Sequence, residues 1–197
     1  MLTSISPLGE RARGHRWGST VAWLCAGGLL GGALTMGAVA AAGAALPGRV
    51  DSPARLVVLA VAAVAAGVWD LGGGRFPGRR QVNEDWMVDY RSWVYGLGFG
   101  VQLGAGVMTM VTTALVPLLL LVVVLVDDVM VGAALGAVFG ATRGLTVLAT
   151  RRARSTADLV AIHRRFDGLQ PAVRLAGGTV AFAVGATAAI AAIGVGV

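Results

Sequence analysis

The chain has 197 residues, 56% of them apolar and only 13% charged, with a mean hydropathy of +0.77. A soluble domain carries about 25% charged residues, so this composition excludes an ordinary water-soluble globule and points to an integral membrane protein. The net charge of +6 rests on arginine alone, and beside apolar runs it reads as a positive-inside bias, not as a nucleic-acid footprint.

The arginine-only basic set, with heavy Ala, Gly and Val usage, suits a GC-rich bacterial genome and a place in the cytoplasmic (inner) membrane. Cys25 is the only cysteine, so no internal disulfide, CxxC pair or cysteine metal cluster is available. Neither His15 nor His163 has metal-ligand spacing, and no nucleophile–His–acid pattern occurs. No catalytic residue, cofactor site or metal site is expected.

Residues 1–18 are polar, hold Arg11, Arg13 and Arg16, and read as a cytoplasmic N-terminal segment. The apolar run 19–46 exceeds the about 7–15 residues of a signal-peptide core. Trp23 and Leu24 ahead of Cys25 also make a poor lipoprotein signal, so an uncleaved first span is expected. Pro47-Gly48 closes it, and 54–71 forms a shorter second span ending at Asp70-Leu71. After a Gly/Arg/Pro turn region, 83–95 reads as an interfacial amphipathic helix: Trp86, Tyr90 and Trp93 recur at helical spacing against Glu84, Asp85 and Arg91.

The third span, 94–126, carries no charge. A hydrocarbon core of ~30 Å needs only about 20 helical residues, so this stretch is too long to cross upright. Its first half is Gly-rich and holds Gln102, Thr109, Thr112 and Thr113; its second half, after Pro117, is plain Leu and Val. That asymmetry predicts a tilted or broken helix inside a bundle, because irregular backbone at membrane depth is tolerated only where protein or a wet cavity satisfies it. Asp127-Asp128 makes a solvated turn, and 129–149 the fourth span. Arg151, Arg152 and Arg154 precede a second amphipathic helix with a capping-box-like Ser155 and Asp158 and an apolar face of Leu159, Ile162, Phe166 and Leu169. A fifth span follows over 171–197.

The fold expected is thus all-α: one domain of five transmembrane helices over 19–197, with two amphipathic helices on the cytoplasmic side. Arginines crowd the segments that lie inside if the N-terminus is inside and the C-terminus outside; only Arg49 and Arg55 fall in the outer loops. Trp17, Trp69, Trp86, Tyr90, Trp93 and Tyr95 gather at the same inner interface as an aromatic belt. An internal repeat is suggested by Arg79-Arg80 and Arg151-Arg152, each followed by a surface helix and a Gly-rich span.

Gly28 and Gly32, Gly96, Gly100 and Gly104, and Gly132, Gly136, Gly140 and Gly144 form small-xxx-small faces suited to close helix packing or, alternatively, to a Gly-lined passage. Gln102, Thr109 and Thr113 share one face of the third span. A side-chain amide in hydrocarbon needs a partner, either another helix or a bound solute. Arg143 and Asp70, at matching depth on the inner side, are expected to pair or to serve a substrate or proton. These five residues are the candidate polar intramembrane site. The partners expected are the bilayer, an unidentified small solute or membrane partner, and other copies in a homo-oligomer.

The order of parts resembles the CcdA/DsbD family of membrane thiol-redox carriers. Gly96-Leu97-Gly98-Phe99-Gly100 through Gly106, then 151–197, are similar to that family's second half, and 54–80 to the end of its first. The family's Pro-Cys pair in each broken helix is missing here, since 103–107 hold neither residue. The resemblance therefore implies a small transporter or carrier-like protein of that fold without its redox pair. The other expectation is a non-transporting scaffold or assembly subunit.

Overall fold

The computed structural model describes residues 5–45, 52–74, 90–106 and 113–195. Among them every regular element is helical: α1 (Pro7–Ala12), α2 (Trp17–Ala44), α3 (Ser52–Leu71), α4 (Ser92–Ala105), α5 (Leu115–Leu125), α6 (Val129–Leu145), a 3-10 turn (Thr146–Thr150) and α7 (Thr156–Val195). Among the described residues, four helical stretches are long and apolar enough to cross a membrane: Trp17–Ala44, Pro53–Leu71, Val129–Thr150 and Thr156–Gly194.

The third span is broken, as its two unlike halves predict: it divides into α4 and α5, at 14 and 11 residues each too short for a ~30 Å core. One expectation needs correction. The second surface helix and the fifth span are one continuous helix, α7, of 40 residues with Pro171 inside it. Proline removes a single amide at a cost of about 3 kcal/mol, and the Leu, Gln, Ala, Val and Arg around it propagate helix well enough to carry the chain through. The N-terminal polar segment contains a helix, α1, which starts at Ser6 and Pro7: the Ser6 hydroxyl accepts the Gly9 amide at 3.2 Å, and proline sits where no amide is needed. Most of the surface helix expected over 83–95 lies outside the described residues, and the described chain turns helical only at Ser92.

The chain clusters into two compact units, the first of residues 1–38, 79–109 and 129–168, the second of 39–78, 110–128 and 169–197. In unit one, α2 is gripped by α4 and α6 through glycines. A Cβ on Gly100 would run into the Leu24 carbonyl, one on Gly104 into Gly28, and one on Gly140 likewise into Gly28; Gly32 and Gly136 exclude a Cβ from each other. Bare backbones thus meet where side chains would hold them apart, so many weak dispersion contacts accumulate along each seam. At one end of the unit Ile5, Val21, Leu24, Tyr95, Phe99 and Val147 form an apolar cluster.

In unit two, α3 packs on α5 and on the later part of α7 through Ala63, Ala66, Ala114, Leu118 and Ala181. Gly67 lies against the Phe182 ring and Gly178 against Leu71, where a Cβ would collide in both cases.

Candidate functional site at the head of a half-helix

The interruption of the third apolar segment has a local cause at each edge. Gly106 closes α4 in the left-handed conformation, φ 73°, and returns its amide to the Leu103 carbonyl at 3.3 Å. On the far side α5 begins at Leu115, with Pro117 in its first turn, where the missing amide costs nothing. Its capping position is Ala114, which has no side-chain acceptor to offer.

Asp70, from the last turn of α3, supplies one: its Oδ1 accepts the Ala114 amide at 2.8 Å. A carboxylate at a helix N-terminus meets the positive end of the backbone dipole, which stabilises it by about 0.3–1 kcal/mol, or about 2 where partly buried. Asp70 is 2% exposed, and among the described residues its Oδ2 has no hydrogen-bond partner. That spare oxygen faces Gly177 on α7, where a Cβ would stand 3.1 Å away, with Leu115 beside it. Thr113, also buried, sits one residue before the capped amide. The corner therefore gathers a buried carboxylate, a hydroxyl residue, a helix N-terminus and a glycine that leaves room, all within unit two.

The opposite end of α5 is held by charge as well. Arg55, early in α3, pairs with Asp127 just past α5, and its Nη1 also reaches the Leu125 carbonyl at 3.4 Å. Asp127 adopts φ 38°, a left-handed turn that a short polar side chain tolerates. Along α3 the two contacts are about 22 Å apart, and along α5 about 20 Å, so the antiparallel pair is latched at both ends.

A second polar cluster lies in unit one. Glu10, on α1, is fully buried. Its Oε2 accepts from the Thr20 hydroxyl at 2.5 Å and the Tyr95 hydroxyl at 2.6 Å, and its Oε1 from Arg13 Nη2 at 2.6 Å. His15 Nδ1 lies 3.1 Å from the Tyr95 oxygen. Burial alone would push the Glu10 carboxyl up, but hydrogen bonds from Thr20, Tyr95 and Arg13, with the Arg13 charge, together hold it below its ordinary value. Both oxygens of the Glu10 carboxylate are thus engaged, and it clamps α1 to the bases of α2 and α4.

Of the five residues expected to form an intramembrane site, Asp70 and Thr113 share the corner at α5. Gln102 and Arg143 belong to unit one. Gln102 is half-buried on α4, with no hydrogen bond to its amide found among the described residues. The two charges expected to pair each find another neighbour: Asp70 the Ala114 amide, Arg143 the face of Phe139 one turn earlier on α6, 5.2 Å from the ring centroid. Thr109 lies outside the described residues. Tyr95, expected in an aromatic belt, is instead wholly buried on Glu10.

Glu10 and its role were missed. The available signal was Ser6-Pro7, a helix start that would have placed Glu10 and Arg13 on one face a turn apart. Among the described residues no three His, Cys, Asp or Glu side chains come together as a metal set. No protein-family model, curated protein or solved structure matches the chain.

Proposed function

We propose that the chain is a small carrier embedded in the bacterial inner membrane, N-terminus inside, related in fold to CcdA/DsbD but working without a cysteine pair. The observation that carries this reading is the half-helix α5, whose N-terminus meets a buried carboxylate with one oxygen unpartnered among the described residues. Broken apolar helices whose ends meet at membrane depth are the usual place for a carrier's solute and coupling ion. An intramembrane acid is retained where it handles a proton or cation. Here Asp70 is the coupling group, Gly177 gives its Oδ2 the space to take a proton or small cation, and α5 is the element whose N-terminus senses the change in charge. A carrier calls for a polar cavity at Gln102, and the scaffold alternative for Gln102 buried between helices with a glycine face exposed to lipid; Gln102 is half-buried and lines neither described cavity. Gly100, Gly104, Gly136 and Gly140 are instead taken up between α2, α4 and α6.

The test needs no known substrate. In a Cys25→Ala background, cysteines at Thr113 and at Val123, the latter fully buried in α5, are exposed to an impermeant maleimide in right-side-out and inverted vesicles. A carrier gives water access to the head of α5, so Thr113→Cys reacts from at least one side while Val123→Cys does not. If Thr113→Cys stays as inert as Val123→Cys from both sides, the carrier reading fails.

A further inference from the structure

The geometry points to a phosphate-binding pocket in unit one, away from Asp70, and we propose that Arg11, Arg151, Arg152 and Arg154 bind a phosphate mono- or diester there. A cavity of about 400 Å³ is lined by Pro7, Leu8, Arg11, Arg151, Arg152, Ala153 and Arg154. That volume falls in the range of small-ligand sites, about 300–1,000 Å³. Four of its lining residues are arginines, and no acidic residue is among them.

The arrangement is built, not incidental. Glu10 is spent on Thr20, Tyr95 and Arg13, and that buried anchorage fixes α1 so that the next residue, Arg11, is offered to the cavity. On the other wall the Asp158 carboxylate accepts the Arg154 and Ser155 amides at 2.8 and 2.9 Å, and Ser155 Oγ accepts the Asp158 amide at 3.2 Å. This reciprocal cap, with the Ala153 amide on the Thr150 carbonyl at 2.9 Å, locks the turn that carries the three other arginines. Asp158 lies near the Arg154 charge, which leaves Arg11, Arg151 and Arg152 without a carboxylate among the described residues. Holding like charges around one cavity is unfavourable until an anion enters it, and the planar guanidinium fork matches phosphate oxygens two at a time.

Two sources carry this chemistry: the headgroup of an anionic phospholipid, and free phosphate or a phosphorylated solute. The cavity adjoins the polar ends of α2 and of the helical stretch Val129–Thr150, which on the membrane reading above is the inner headgroup level, where basic pockets meet anionic lipid. Pro7 and Leu8 give it an apolar rim on one side. The proposal depends on that membrane placement but not on the carrier role, so inert Thr113→Cys would leave it standing.

The experiment uses the full-length protein in neutral detergent, with retained lipid read by native mass spectrometry after addition of phosphatidylglycerol or phosphatidylcholine. The wild type retains phosphatidylglycerol in preference to phosphatidylcholine. Arg11→Gln with Arg152→Gln lowers that retention at least tenfold, whereas Arg164→Gln with Arg165→Gln, the same charge loss outside the cavity, leaves it within twofold. In a second arm inorganic phosphate at millimolar concentration is added alone, with thermal unfolding as the readout. Stabilisation by phosphate that the cavity pair abolishes, without selective lipid retention, assigns the free-phosphate source. Retention without phosphate stabilisation assigns the lipid. Unfolding temperatures without ligand show that the cavity variants still fold, and Arg152→Gln alone repeats the comparison with a milder change. Neither ligand responding, or both pairs of variants responding equally, overturns the proposal.

Discussion

Substituting Gly32 by alanine tests whether the seams of unit one are as close as the backbone positions require. A Cβ there would drive into the Gly136 carbonyl oxygen and stand 2.7 Å from its carbon, well inside the 3.4 Å at which ordinary contact begins. The obstacle is main chain on a packed helix, so relief demands that α2 and α6 separate by more than an ångström. Forcing an extra methyl into a filled interior costs about 1–3 kcal/mol, and Gly136 meets the reciprocal restriction from Gly32, so the upper part of that range applies. Against this, alanine improves on glycine in a helix interior by about 1 kcal/mol. The net expectation is a loss of roughly 1–2 kcal/mol. Gly168→Ala is the matched control: it also lies inside a helix, yet nothing stands within 4 Å of its Cβ position, so only the propensity gain of about 1 kcal/mol remains. Unfolding of both variants in mixed micelles, monitored by far-ultraviolet circular dichroism, should therefore move in opposite directions. If Gly32→Ala is as stable as Gly168→Ala, the helices are not in backbone contact and the packing described for unit one is wrong.

Glu10 gives a pH signature. Its carboxyl titrates below its unfolded value of about 4.3, so its contribution is complete above that value and is lost as pH falls through the lower folded value; melting between pH 3 and 7 should show this acid loss in the wild type and not in Glu10→Gln. Asp70→Ala removes the cap of α5 and should cost about 1–2 kcal/mol, whereas Asp70→Asn keeps an acceptor for the Ala114 amide and should lose less; equal losses in micelle unfolding would refute the capping role. Arg55 and Asp127 are partly exposed, so a double-mutant cycle of Arg55→Gln and Asp127→Asn should give a coupling of about 0.2–1 kcal/mol that shrinks with added salt; a coupling indifferent to salt would contradict an ionic latch.

The apolar runs were legible because a membrane span needs little more than length and hydropathy, and the break in the third run was legible because the Gly-rich half and the Pro117 half differ so sharply. What the pattern could not supply was azimuth. Counting along the spans puts Asp70 and Arg143 at matching depth in the sequence, which is why a pair is expected of them. The partner of Asp70 proved to be a backbone amide, and an amide leaves no mark in a sequence. Tyr95 misled for the same reason: the residue type favours an interfacial belt, but whether its ring meets lipid or Glu10 depends on which way α4 is turned. Pro171 does not end α7, since one lost hydrogen bond is a smaller penalty than breaking a helix with good helix formers such as Leu169, Gln170 and Ala172 beside it.

The double latch between α3 and α5 also bears on how the chain is made. Synthesis delivers α3 first, and the Ala114 amide that Asp70 will cap follows 44 positions later. At about 5–20 residues per second, that carboxylate waits roughly 2–9 s for its amide. Arg55 waits longer, since Asp127 lies 72 positions downstream. Meanwhile α5, rising only about 16 Å, is too short to enter a bilayer by itself. Of the two, α3 has the length and hydropathy to cross a bilayer by itself, whereas α5 does not. The placement of α5 therefore depends on an α3 already in position, and the second latch closes only once Asp127 has emerged.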